Sequence, residues 1–291
     1  MKFVIMQTFN GISYAALLFL IGAGLSLIFG VMNIVNVTQG SYYLVGGYIG
    51  YIVVSNTGNF YLGMIAAVVV IALIGVIMES VFLRKLTEPY LDLRQMLITM
   101  GFALFLQEMC LIIFGGYTLD LPPPAWCLQS IKLGGYSFYV LRLFMIGNAI
   151  LAYIFLWWFQ EKTRVGAVLR AAVDNREMAQ VLGINVNLVT MGVFGLGAGL
   201  AAFGGVIGCS FTAVYPGVDW EVLPLAFVVV IVGGMGSIRG AMVGAIIVGL
   251  IDNFGKAMLP ELSYFTLFAP MAIILAFRPS GLFGKETSKL A

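Results

Sequence analysis

The stretch "MIAAVVVIALIGVIM", residues 64–78, runs for fifteen residues without a charged or polar side chain. With its flanks it marks a segment near 61–83, the length of about 20 residues that a helix needs to cross a bilayer. Lipid offers the backbone no water, so a spanning segment is a helix or part of a closed barrel. Barrel strands alternate in polarity from residue to residue, and this stretch does not. It therefore reads as a buried or lipid-facing helix. "LAFVVVIVGG", residues 225–234, has the same character.

The rest of the chain repeats the pattern. Of 291 residues, 61% are hydrophobic and 10% charged, against about 45–50% and about 25% in soluble domains. The expected fold is an all-α polytopic membrane protein, a single transmembrane domain over 1–291. A net charge of +2 is too small to suggest a nucleic-acid partner. The absence of histidine excludes histidine-ligated haem, histidine zinc sites and imidazole triads. Cys110, Cys127 and Cys209 lack metal-ligand spacing, and a disulfide among them is not expected. No metal, cofactor or catalytic residue is assigned. No basic leader with a cleavage site opens the chain, so the first apolar run is expected to be retained as a span.

Apolar runs place spans near 9–31, 38–55, 61–83, 96–114, 139–160 and 188–208, a long run over 222–254, and a last span near 263–277. Basic residues concentrate in three places: Arg84, Lys85 and Arg94; Lys162, Arg164, Arg170 and Arg176; and Arg278, Lys285 and Lys289. The positive-inside bias puts all three in the cytoplasm. The run 222–254 must then split at "GGMGSIRG", which leaves Arg239 on the cytoplasmic side. The count is eight to nine helices, with the N-terminus outside. The segment 115–138, with three consecutive prolines at 122–124, reads as a stiff extended connector outside the membrane.

Residues 161–187 stand apart. Glu161, Lys162, Arg164, Arg170, Asp174, Arg176 and Glu177 place a quarter of all charges in under a tenth of the length. Thr163 can start one helix, with Val165, Val168, Leu169 and Ala172 at helical spacing. Asp174 and Glu177 form a D-x-x-E pattern close to a capping box, and Gly183 supplies the left-handed position that ends a second helix. The expectation is two short helices with an elbow at Asp174-Asn175. A two-turn helix is marginal alone, so something must hold it: the lipid interface or the groove of a soluble partner.

"RVGAVLRAAVDNREMAQVLGINV" resembles the cytoplasmic coupling segment of permeases from ATP-binding cassette importers of branched-chain amino acids. That family carries the pattern R-x-G-x-x-x-R-A-x-x-x-(D/N)-x-x-x-A-x-x-x-G-I. "FNGISYAALLFLIGAGLSLIFGVMNIVNVTQGSYYLVGGYIG", "VVIVGGMGSIRGAMVGAIIVGLID" and "RPSGLFG" resemble its N-terminal block, glycine block and ending. The resemblance implies a type II importer permease with broken helices. Arg164, Gly166, Arg170, Ala171, Asp174, Asn175, Glu177, Ala179 and Gly183 would engage one of two separate cytoplasmic ATPases. It further implies a second permease, homologous or identical, and a periplasmic or extracellular solute-binding protein, all at a bacterial or archaeal inner membrane. Branched-chain amino acids are the default cargo, with urea or short amides carried by close relatives. ATP hydrolysis is not expected in this chain. Its nearest approach to a phosphate loop, "PSGLFGKE" at 279–286, lacks the first glycine and the Ser/Thr after lysine, and reads as a solvated tail.

Polar groups within the membrane are costly and so informative. Asn33, Asn36, Thr38, Gln39 and Ser41 interrupt two apolar runs and resemble a broken helix lining a pathway or a subunit seam. The family pattern N-F-A-H-G-(E/D) reads here Asn36-Val37-Thr38-Gln39-Gly40-Ser41, so a histidine and an acid are missing. Glu108 reads as the most deeply placed acid, with Arg142 as its candidate partner. Asp252 and Lys256 suit an i,i+4 pair, and the glycines of "GLGAGLAAFGG" (195–205) suit close helix packing. An ion-coupled carrier or channel remains the alternative, and an intramembrane enzyme is the weakest reading. A carrier has no need of a docking elbow.

Overall fold

Continuous apolar sequence can satisfy its backbone only within itself, and the chain is accordingly almost all helix. The structure, a computed structural model, describes residues 2–86, 91–133, 136–174, 176–258 and 260–284. In order, the helices are α1 (Lys2–Met32), α2 (Thr38–Thr57), α3 (Phe60–Ile77), α4 (Leu91–Phe114), α5 (Val140–Lys162), α6 (Arg164–Asp174), α7 (Arg176–Val181), α8 (Val186–Thr212), α9 (Val218–Gly233), α10 (Ile238–Met258) and α11 (Ser263–Phe277). A π-helical turn, Met78–Leu83, continues α3.

Six segments among the described residues are long and apolar enough to cross a membrane: Phe3–Met32, Phe60–Leu83, Leu91–Phe114, Val140–Lys162, Val186–Thr212 and Ile238–Met258. The other apolar helices fall short for physical reasons. α2 opens on Thr38, Gln39 and Ser41, and α9 and α11 have 16 and 15 residues. The long run 222–254 does split, with α9 ending at Gly233 and α10 beginning at Ile238.

α1 and α8 form the centre. Each buries 78% of its apolar stretch, whereas α3, α4 and α5 bury 28%, 22% and 28% and turn apolar faces outward. Glycines let the central helices touch through their backbones. A Cβ at Gly205 would collide with the Tyr43 carbonyl, and one at Gly24 with the Gly197 carbonyl and the Gln39 amide. The 195–205 glycines are thus packing positions. Asp252 and Lys256 do pair, at 2.7 Å.

The ends of α1, α3 and α5, all of α6 and α7, the start of α8 and the α9–α10 turn gather at one end of the bundle. There Arg84 bonds the Asn187 carbonyl, Glu161 lies near Arg170 and Arg239, and Gly30 meets Gly236. Arg84, Arg170 and Arg239 therefore share one end.

Two expectations need correction. The segment 115–138 is more than an extended connector. Leu119 bridges to Val214, and β1 (Ser130–Leu133) pairs antiparallel with β2 (Tyr136–Tyr139). Ile131 to Leu133 and Tyr136 to Tyr139 flank Gly134-Gly135, the composition of a hairpin turn, and the run of prolines masked that signal. The tail is not simply solvated either. Leu282 and Phe283 donate their amides to the Val232 and Gly233 carbonyls, because Gly281 and Gly234 let the tail backbone lie against the α9–α10 turn. The three cysteines are free and buried, and burial pushes the Cys127 thiol above its ordinary value.

Candidate functional sites: the short-helix elbow and the mid-bundle polar knot

The elbow is built by capping. Thr163 leaves the helix of α5 in extended conformation, and its hydroxyl accepts the Gly166 amide at 3.0 Å, starting α6. Gly166 has to be glycine for close approach, since a Cβ would meet the Phe159 and Gln160 carbonyls. α7 ends in a Schellman motif. The Ile184 amide donates to the Ala179 carbonyl and the Gly183 amide to that of Gln180, both at 3.0 Å, with Gly183 at φ 81°. Ile184 and Ala179 join one apolar cluster with Ala172 and Val186, which answers what holds so short a helix to the bundle. Leu169 and Ala172 face inward.

The opposite face looks away from the bundle. Val181 is 81% exposed and Leu182 72%. Arg164 and Arg170 are exposed, Ala171 half-buried and Ala179 buried. Arg170 lies 3.9 Å from Glu161, which in turn lies 3.5 Å from Arg239 at the start of α10. The side chains of Asp174, Asn175 and Glu177, and with them the expected capping box, fall outside the described residues. α6 nonetheless ends at Asp174 and α7 begins at Arg176.

The second site is the junction between α1 and α2. Asn33 ends α1 in left-handed conformation, φ 55°, which asparagine tolerates better than most residues. It is exposed, whereas Asn36, Thr38, Gln39 and Ser41 are buried. Asn36 Oδ1 accepts the Thr38 amide at 3.1 Å, starting α2. The Thr38 hydroxyl donates to the Thr99 carbonyl on α4 at 2.9 Å. Gln39 Nε2 donates to the Gly197 carbonyl on α8 at 3.0 Å and lies 3.4 Å from that of Ile21 on α1. The Ser41 hydroxyl lies 3.2 Å from both the Ala103 carbonyl on α4 and Asp219 Oδ2 on α9. Three sequence-distant helices, α4, α8 and α9, and the preceding α1 are thus tied to one short polar stretch.

Asp219 was not singled out in the sequence. It is 3% exposed, and its Oδ1 has no hydrogen-bond partner. The available signal was two acids, Asp219 and Glu221, within four residues of "YPG" and at the head of an apolar run, the signature of a helix start. The pattern this region resembles has an acid where Ser41 stands, and here a carboxylate reaches the Ser41 hydroxyl from α9. A narrow crevice between Val37, Gly40, Ser41, Ala103, Trp220 and Leu223 runs to this carboxylate and leaves no room for a water molecule. Trp220 Nε1 closes it by donating to Gln107 Oε1 at 2.7 Å.

Glu108 is not the buried acid expected. It is exposed on α4 and forms no ion pair with Arg142, which instead lies over the Phe211 ring at 5.5 Å. Among the described residues the buried acids are Glu79, Asp219 and Asp252. Glu79 is held by Arg84 at 2.7 Å and by the Thr190 hydroxyl at 3.0 Å, a tie between the end of α3 and the start of α8.

Residues 7–275 match the family described as "Branched-chain amino acid transport system / permease component". The chain is 26% identical over 297 residues to "High-affinity branched-chain amino acid transport system permease protein LivH" of Escherichia coli (strain K12), covering 97% of this chain and 96% of that protein. It is 25% identical to the corresponding permease protein BraD of Pseudomonas aeruginosa, over 96% of this chain and 95% of the relative. It is 27% identical to "Probable branched-chain amino acid transport permease protein LivH" of Methanocaldococcus jannaschii, over 97% and 93%. No solved structure matches the chain.

Proposed function

The chain belongs to the family of permease components of branched-chain amino acid transport systems, and we propose that it forms the membrane path of an ATP-driven importer for such amino acids. It is a multi-pass inner-membrane transport subunit rather than an enzyme. In the proposed assembly, of the type II importer kind, it pairs with a second permease of the same or homologous sequence. Two cytoplasmic ATPases supply the energy and an external binding protein delivers the solute. α2, α9 and α11 complete about nine crossings, with the N-terminus outside.

The observation that carries this reading is the elbow of α6 and α7. Its inner face is fixed by capping and by the Ala172–Ala179–Val186 cluster, while Val181 and Leu182 stand exposed at the basic end of the bundle. Arg164, Gly166, Arg170, Ala171, Asp174, Asn175, Glu177, Ala179 and Gly183 make up the handle gripped by the ATPase. The path follows the α1–α2 break, with Asn33, Asn36, Thr38, Gln39 and Ser41 on its wall and the Asp219 carboxylate beside them. Exposed Glu108, an acid on the outward face of an apolar span, marks the seam with the second permease, where water rather than lipid can meet it.

The test is leucine uptake into proteoliposomes holding the assembled transporter. Uptake is expected only with ATP inside and with both ATPases present. Uptake driven by an ion gradient without them would make the chain a secondary carrier and overturn the reading.

A further inference from the structure

At the end of the bundle away from α6 and α7, a cavity of about 230 Å³ opens beneath the β-hairpin. At about 30 Å³ of liquid per water, it has room for roughly seven waters or one small organic molecule. Its wall is formed by Pro123, Leu128, Tyr139, Leu141 and Phe211, with Arg142 as the one charged group among them. Arg142 sits in the first turn of α5, where a cation faces the positive end of the helix dipole. Its Nη1 is buried without a hydrogen-bond partner. Among the described residues no carboxylate lies close enough to pair with it. Phe211 gives it only the face of a ring. The Val140 amide is taken by the Gln129 carbonyl at 3.1 Å, and the N-cap residue Tyr139 offers α5 no side-chain cap, so the remaining first-turn amides add to the positive field.

A guanidinium kept in an apolar cavity, at a helix N-terminus, with a donor unused, calls for an anion. The apolar wall calls for a hydrocarbon body behind it. We propose that this cavity binds an oxyanion carried on a small aliphatic group, a carboxylate or a phosphate. Arg142 Nη1 donates to the oxyanion, and the aliphatic part packs on Phe211, Leu141 and Leu128. Two sources of that chemistry reach this end of the bundle: a free aliphatic carboxylate from solution, and the headgroup of an anionic lipid.

The test uses the purified full-length chain in neutral detergent and needs no transport. Its melting temperature is followed against 4-methylpentanoate, against isopentylamine (the same skeleton with the opposite charge) and against phosphatidylglycerol. The carboxylate is expected to raise the melting temperature progressively with concentration and the amine is not. If the cavity takes the lipid headgroup, phosphatidylglycerol gives the shift and removes the response to the carboxylate. Arg142→Gln should weaken the apparent affinity by roughly 10- to 100-fold, the scale of a charge-assisted hydrogen bond, whichever source is right. Leu128→Trp provides a second variant, because Leu128 is 67% exposed at the mouth and its enlargement blocks the cavity while leaving the charge in place. Equal shifts from carboxylate and amine, no shift from either anion, or a full anion response in both variants would overturn the proposal.

Discussion

Replacing Val181 and Leu182 together by serine should detach the ATPase and leave the bundle intact. The two side chains are 81% and 72% exposed, so they contribute little to the fold of this chain. Fully burying a valine or leucine side chain yields about 1.5–3 kcal/mol. About three-quarters of that is still available at each position, so docking into a partner's cleft should gain about 2–4.5 kcal/mol from the pair. By the tenfold-per-1.4 kcal/mol rule, the double variant should bind the ATPase roughly 30- to 1,500-fold more weakly. Neither change touches the Schellman bonds or the inward-facing Ala179, so the melting temperature of the permease alone should hold. The assay is co-purification of the tagged permease with its ATPase, titrated to give a dissociation constant, beside leucine uptake in proteoliposomes. Ala179→Leu is the informative contrast: at 2% exposure it overpacks the cluster that holds α7 and should lower the melting temperature. If the serine variant retains wild-type ATPase affinity and uptake, the exposed face is not the handle, and the reading of the elbow as a docking element falls.

Gly183→Ala should cost about 1–2 kcal/mol, the penalty of a left-handed residue with a Cβ. No atom lies within 4 Å of the added carbon, so the loss should appear as faster hydrogen exchange confined to α7, with the rest of the chain unchanged. Glu79→Ala should lower the melting temperature, because it removes the buried carboxylate that Arg84 and the Thr190 hydroxyl share and leaves both only the Asn187 carbonyl. Removing one partner of a buried pair costs about 3–5 kcal/mol, and about 2–3 is expected here since Arg84 is 34% exposed. Gln39→Leu removes the amide bonded to the Gly197 carbonyl, and should lower leucine moved per ATP hydrolysed while leaving ATPase docking intact; an unchanged ratio would exclude Gln39 from the path. Asp219→Asn keeps the shape and removes the charge, so it should depress uptake roughly tenfold or more, the scale of one charge-assisted hydrogen bond, with a wild-type melting temperature, whereas a merely structural carboxylate would show the reverse pattern.

The helices and their ends were readable because each rests on local chemistry. Fifteen apolar residues in a row, a threonine before an apolar period, and a glycine just past one are signals of single segments. The α9–α10 split followed from glycines and one arginine. What failed were inferences of partnership. Glu108 and Arg142 lie on neighbouring apolar spans in the sequence, yet α4 turns Glu108 outward and Arg142 faces Phe211. Periodicity does not say which face of a helix meets the bundle when all its faces are apolar. Asp219 was missed for the converse reason: beside Glu221 it looked like an ordinary acidic first turn, and only its depth next to Ser41 distinguishes it. The hairpin over 130–139 lay behind three prolines, which end a helix but do not forbid a strand a few residues later.

The two candidate sites are joined by α8. Val186, its first residue, shares the apolar cluster that anchors α7, and Gly197, eleven residues on, accepts the Gln39 amide. At 1.5 Å per residue that is about 16 Å of uninterrupted helix between handle and knot. Thr190 ties the same stretch to Glu79 on the turn that extends α3, and Gly205 holds it against the backbone of Tyr43 on α2. Contacts made through glycine backbones leave little slack for side-chain rearrangement, so under the proposed docking of an ATPase on α7 we expect α8 to move as a rigid element. A second line runs from Arg170 through Glu161 to Arg239 and into α10, but its charges are exposed and 3.5–3.9 Å apart, a weak connection by the usual measure of surface ion pairs. Force from a closing ATPase would therefore reach Gln39 and Ser41 chiefly through α8. The polar break between α1 and α2 is the point in that line where the backbone is not already locked into a helix, and so the point where it can yield.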